Sequence, residues 1–238
     1  LITLRGLRIL RSADVVLHDA LVTPDLLREV RKDAQVLNVG KRGYCVGSTH
    51  QEEIHRTMIG LARAGHSVCR LKGGDPYIFG RGGEEAEALY AAGIPFEIVP
   101  GVTAANAACA AARIPLTHRC VGSAIVFASG HHDPEGTDCT LDWEALARVG
   151  NIVFYMASRH TAAIARRLIA HGLAPQTPVA LISQAAMPDQ SLLMATLGEM
   201  AAGLSVAQSP TLIVVGECVR HRCAVELPCE QPLEVVVV

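Results

Sequence analysis

Residues 71–83, LKGGDPYIFGRGG, constrain this chain more than any other stretch, because they crowd glycine around a single proline between a strand pattern at 66–70 and a helix pattern from Glu84. Gly73 and Gly74 lack a Cβ, so the backbone there can take positive φ or approach a ligand closely. Pro76 fixes its own φ and restricts Asp75 to extended geometry. The loop is therefore shaped, and Asp75 stands at the C-terminal edge of a strand, where open α/β sheets bind their ligands. GGD alone also suits a tight turn with a solvated Asp. The apolar Tyr77, Ile78 and Phe79, followed by Gly80, Gly82 and Gly83 around Arg81, exceed what such a turn needs.

The rest of the chain alternates strands and helices about this loop. Leu1, Leu4, Leu7 and Leu10 repeat at helical spacing with no capping residue ahead of them, so a preceding segment is expected. A buried strand follows at 13–18 and ends at Asp19. A helix is predicted at 24–31, a strand at 35–39 running into Gly40, Lys41 and Arg42, and an amphipathic helix at 51–64. Beyond the glycine loop come a helix at 84–92, a strand at 96–99 leading into PGVT, and a small-residue helix at 104–112. Right-handed crossovers between parallel strands bring Asp19, Lys41, Asp75 and Thr103 to one sheet edge. The rhythm breaks at 114–119, IPLTHR, which puts the domain boundary between 1–117 and 118–238. The second half predicts strands at 124–128, 152–155, 179–182, 191–195 and 211–215 and helices at 142–147 and 161–170. The tail loses periodicity beyond Gly216 and becomes irregular from about 223.

Half of the residues are hydrophobic but only 4% are aromatic, which predicts an aliphatic core of helices on a mostly parallel sheet. No apolar run reaches the roughly 20 residues of a membrane span, and the N-terminus is unlike a signal peptide; a cytoplasmic protein is expected. A net charge of −2 supplies no basic field for nucleic acid. The eight cysteines lack a CxxC pair and fit buried free thiols better than disulfides or zinc.

The motifs VGKRGYC (39–45), RLKGGDPYIFGRGGEE (70–85), VPGVTAA (99–105), IPLTHR (114–119) and VFYM (153–156) together resemble the tetrapyrrole methylase family, and most closely its uroporphyrinogen-III C-methyltransferase branch. The resemblance implies two α/β domains of the class III methyltransferase type, with S-adenosylmethionine in the cleft between them and S-adenosylhomocysteine as product. It also implies a homodimer acting on a small-molecule tetrapyrrole, without nucleic acid or membrane. It assigns the cofactor to Gly73, Gly74, Asp75, Ile78, Thr103, Ala104 and Met156, with Ala185 where the family often has Gly. It assigns proton acceptance to Asp19 and proton donation to Lys41. The family opens with a strand and a GxGPGDP loop, which this sequence lacks before Leu1. A first strand is therefore expected to be missing.

The reaction implied is C-methylation of uroporphyrinogen III to precorrin-2, on the route to sirohaem or cobalamin. An electron-rich pyrrole carbon can attack the sulfonium methyl directly, so the enzyme needs placement and proton management, with no metal. The substrate's carboxylates call for local cations, and the candidates are Arg42, Arg81, His118, Arg119, His131 and His132. Other roles remain open for several of these residues. Asp19 suits the N-cap of the next helix, Lys41 and Arg42 a solvated loop, His118 and Arg119 the domain junction, and Met156 ordinary core filling. The competing functions are another precorrin methylase and a truncated, non-catalytic relative that dimerises or binds a tetrapyrrole.

Overall fold

Thr3, with extended backbone and a hydroxyl that accepts from the Gly6 amide, caps helix α1 (Leu4–Ser12). The expectation of an uncapped helix is corrected: counting the apolar repeat from Leu1 buried Thr3 inside the helix, whereas a Thr with β-region backbone is a favoured N-cap. The computed structural model describes residues 1–40, 49–204 and 209–223. The expectations for Lys41, Arg42 and the chain beyond 223 lie outside the described residues. These residues form two compact units that part between Ala107 and Ala108.

In the first unit, β1 (Val15–His18), α2 (Pro24–Leu27), β2 (Gln35–Asn38), α3 (Thr49–Arg63), β3 (Val68–Leu71) and α4 (Gly82–Ala91) follow α1. The strands form a parallel sheet in the order β2-β1-β3. β1 is buried at every position. Its side chains alternate as a strand requires: Val16 packs with Leu10, Ala13 and Leu71, while Val15 and Leu17 pack with Ile54 and Met58. Each such aliphatic side chain contributes about 1.5–3 kcal/mol of burial. That central strand fixes where Asp19 emerges.

Two expectations fail in this unit. The helix expected over 24–31 ends at Leu27, because the amides of Glu29 and Val30 bond three residues back, to Leu26 and Leu27. This tighter turn ends with Arg31 paired to Asp14 at 2.6 Å. No strand forms over 96–99. Pro95 and Pro100, which bracket it, have no N–H to donate, and Glu97 is ion-paired with Arg5 instead. Among the described residues β3 pairs only with β1, so this sheet has three strands.

Helix α5 (Ala104–Ala112) runs across the division. The second unit contains β4 (Val126–Ser129), α6 (Trp143–Val149), β5 (Ile152–Tyr155), α7 (Thr161–Ala170), β6 (Pro178–Ser183), β7 (Ser191–Thr196), α8 (Leu197–Ala201) and β8 (Thr211–Val215). Its sheet order is β4-β5-β8-β6-β7, and only β4 and β5 are parallel neighbours. The mostly parallel sheet expected from composition is therefore wrong for this unit. The connection over 184–190 is too short for a crossover and allows only an antiparallel return, and β8 inserts between β5 and β6. Even so, β4, β5 and β6 point the same way, and their C-terminal ends share one edge. Trp143, Phe154, Ile164, Leu168, Leu197, Met200 and Ile213 form the core on one face.

Helix α8 was not expected, although Thr196 and Glu199 form a capping box readable as TLGE. Beyond Gly216 a 3-10 helix, Glu217–His221, buries Cys218 and Val219, contrary to the loss of structure expected there. The described cysteines are free, as expected; Cys109 and Cys218 are buried, but Cys120 and Cys223 are exposed. Among the described residues no helix is long and apolar enough to cross a membrane.

Candidate functional site

In the first unit the strand ends bring their loops into close backbone contact. A Cβ on Gly40 would lie 2.1 Å from the Ala20 amide nitrogen, so the end of β2 can meet the Asp19–Ala20 backbone only as glycine. Gly74 has φ +81°, and a Cβ on it would lie 3.6 Å from the Ala104 nitrogen. A Cβ on Gly101 would collide with the Gly74 carbonyl oxygen at 2.2 Å. Asp75 locks this approach by accepting from Tyr77 N–H at 2.8 Å and Gly101 N–H at 2.9 Å. Gly73, Gly74 and Ala104 are exposed, and Thr103 is buried where its carbonyl starts α5. Ile78 and Phe79 also present apolar surface, and Phe79 and Arg81 hold positive φ. Such backbone strain persists where surrounding structure enforces it, often at ligand-binding loops.

Beneath these loops lies a cluster of charges. Arg70, from β3, donates through Nη2 to Asp19 Oδ1 at 2.5 Å, through Nε to Glu85 Oε1 at 3.1 Å, and through Nη1 to the carbonyls of Leu17 and Leu71 at 3.4 and 3.3 Å. Lys72 Nζ lies 3.1 Å from the same Glu85 oxygen and 3.9 Å from Asp19 Oδ2. Gln51 Nε2 donates to Glu85 at 3.3 Å. The Glu85, Lys72 and Arg70 side chains are only 6%, 8% and 12% exposed, while Asp19 reaches 29%. Asp19 is the member nearest solvent. The N-cap role considered for it is not what forms: Thr23 occupies that position in α2.

In the second unit, the shared edge of β4, β5 and β6 carries His131, Met156 and Ala185. Met156 leaves β5 at φ 55° and is 42% exposed, so it is not core filling. Gln184 and Ala186, on either side of Ala185, also have positive φ. The rings of His131 and His132, both exposed, lie edge to face at 5.2 Å. His118 accepts from Cys120 N–H at 3.3 Å and stacks on His221 at 4.0 Å. Thr117, His118, Arg119, Gly122 and Ser123 line an open hollow of about 520 Å³. Arg81, by contrast, is paired at 2.5 Å with Glu84 in the first turn of α4, and this pair holds the guanidinium above and the carboxyl below their usual ranges.

The structure thus gathers Gly73, Gly74, Asp75, Thr103 and Ala104 at one loop contact, and His131, Met156 and Ala185 at another edge. Sequence reasoning missed Arg70, Lys72 and Glu85. The available signal was an arginine inside the otherwise apolar strand VCRL, since a charge placed in a buried sheet needs a partner.

Residues 1–201 match the family described as Tetrapyrrole (Corrin/Porphyrin) Methylases. A Siroheme synthase 1 of Yersinia pseudotuberculosis is 49% identical over 220 residues, covering 92% of this chain and 46% of that protein. The chain thus spans about half the length of the curated relatives it matches. Among solved structures, the uroporphyrin-III C-methyl transferase of Thermus thermophilus complexed with S-adenyl homocysteine is 37% identical, with a TM-score of 0.77 and 92% of both chains covered. A cobalt precorrin-4 methyltransferase is 28% identical with a TM-score of 0.75, covering 91% of this chain and 89% of that one. The chain belongs to the tetrapyrrole methylase family.

Proposed function

We propose that the chain is an S-adenosylmethionine-dependent C-methyltransferase that converts uroporphyrinogen III to precorrin-2. The likeness to the Thermus thermophilus enzyme, which extends over nearly the whole of both chains, carries this reading. The first unit's loop suits the cofactor: Gly73 and Gly74 expose polar backbone, and the exposed Ile78 offers apolar contact; Met156, exposed in the second unit, joins the proposed set on the family resemblance. Asp75 uses one lone pair of each oxygen on backbone amides and retains others for the cofactor's ammonium. Thr103, Ala104 and Ala185 complete the proposed cofactor set.

The bound cofactor supplies an electrophilic methyl group. The chain's task is to hold a pyrrole carbon in line with it and to move one proton. As the ring carbon takes the methyl, the sulfur leaves with the bonding pair. Asp19, partly exposed at the end of β1, accepts the proton that the cationic ring then releases, and Lys41 is the proposed donor of a proton to another ring position as the macrocycle isomerises. Arg42, His118, Arg119, His131 and His132 bind substrate carboxylates. Arg81, held by Glu84, contributes only if that pair opens. The same reading makes the protein a cytoplasmic homodimer, whose stoichiometry sedimentation equilibrium measures.

The test is anaerobic incubation with uroporphyrinogen III and methyl-labelled S-adenosylmethionine, followed by mass analysis of the tetrapyrrole. Labelled methyl on the macrocycle carbons supports the proposal. Cofactor binding without transfer, or transfer only to a later corrin intermediate, overturns it.

A further inference from the structure

We infer that Arg70 is a positioning residue for Asp19, and that Glu85 acts through it as the buried anchor of the arrangement. The inference rests on the proposal that Asp19 accepts the proton.

The guanidinium offers donors in a fixed planar fork, so its partners are held at set angles to one another. In Arg70 that fork is engaged on three sides. Nε is held by Glu85, Nη1 by the carbonyls of Leu17 and Leu71, and Nη2 by Asp19 Oδ1 at 2.5 Å. Two of these partners are backbone atoms of β1 and β3, so the fork is referenced to the sheet itself. Glu85 supplies the third fixed point from α4, and its Oε1 also receives Lys72 and Gln51. Asp19 is the least buried of the charged group, and it lies just beyond the end of β1, where the strand no longer fixes it. His18 cannot substitute, since its Nδ1 faces the Asp19 backbone carbonyl at 3.0 Å. Lys72 stands at 3.9 Å from Oδ2, close enough for attraction but beyond a hydrogen bond. Oδ1 is thus clamped, and among the described residues Oδ2 is the oxygen left to take a proton.

The experiment measures kcat and KM for uroporphyrinogen III, and cofactor Kd by calorimetry, in the full chain and in Arg70→Lys, Glu85→Gln, Asp19→Asn and the pairwise combinations with Asp19→Asn. Arg70→Lys keeps the charge and loses the fork. It is expected to lower kcat about 10- to 100-fold, the scale of a roughly 1 Å misplacement, while KM and cofactor Kd stay within about twofold. Glu85→Gln, which does not touch Asp19, moves kcat in the same direction and keeps the inference testable should Arg70→Lys fold poorly. In the Asp19→Asn background neither change lowers kcat further, because the group they orient no longer takes the proton. A merely structural arginine would lower the yield of folded protein and act equally in both backgrounds. Undiminished kcat in Arg70→Lys and Glu85→Gln overturns the inference, as does a loss that multiplies with that of Asp19→Asn. Full turnover in Asp19→Asn instead overturns the proton-acceptor reading and the inference with it, as does absence of methyl transfer by the unmodified chain.

Discussion

The Gly101 amide donates to Asp75 Oδ2 at 2.9 Å, and through this bond the loop that follows β3 is tied to the loop that precedes α5. Asp75 also accepts from Tyr77 N–H through its other oxygen. An Asn has one acceptor oxygen and one donor nitrogen, so either rotamer of Asp75→Asn sets an NH₂ against a backbone N–H. The expected loss is about 1–3 kcal/mol, read by urea unfolding. An unchanged midpoint would mean that the tie contributes nothing to stability.

Gly101 and Gly83 make a matched pair for the same loops. A Cβ at Gly101 meets the Gly74 carbonyl at 2.2 Å, whereas one at Gly83 meets nothing within 4 Å. Gly101→Ala is therefore expected to destabilise by about 1–3 kcal/mol through overpacking and to weaken cofactor binding. Gly83→Ala, in the first turn of α4, should be neutral or stabilise by up to about 1 kcal/mol. Thermal melts with and without S-adenosylmethionine separate the two.

Asp14 joins β1 to the turn before β3. The Ser67 hydroxyl and amide donate to its carboxylate, and Arg31 lies beside it, lowering its pKa from the ordinary 3.8 to about 2. A depressed carboxyl pKa stabilises the folded state fully above the unfolded value, and the contribution disappears as pH falls through the folded value. Ser67→Ala removes the first of these causes. The stability gap between wild type and Ser67→Ala should therefore be widest above about pH 4 and should narrow toward about pH 2. Urea titrations across that range test the sign, and a gap that widens in acid would reverse it.

Thiol reactivity should divide the second unit's cysteines. Burial pushes the Cys109 thiol up to about 12 and the Cys218 thiol up to about 11. Because the thiolate is the reactive form, both should resist iodoacetamide in the native protein, while the exposed Cys120 and Cys223 are alkylated. Peptide mass mapping before and after denaturation reads this directly. Labelling of Cys218 at the native rate of Cys120 would mean that the 3-10 helix opens readily.

Elements whose signals are local could be read directly from the residues. Helix α7 over 161–170, β5 over 152–155 and β8 over 211–215 have the expected bounds, since each is an apolar pattern of one period ending in a turn or glycine. The loop over 71–83 was also legible, because Gly74 permits a positive φ and Pro76 restricts the backbone whatever surrounds them. Strand direction and charge pairing depend on contacts between segments distant in the chain. Nothing local in TLIVV says that β8 inserts antiparallel between β5 and β6, nor that 96–99 finds no strand to pair with. The partners of Arg70 lie up to 53 residues away in sequence, at Leu17, Asp19 and Glu85. Their meeting depends on β1 and β3 lying side by side in register, a non-local pairing that the periodicity of neither strand encodes.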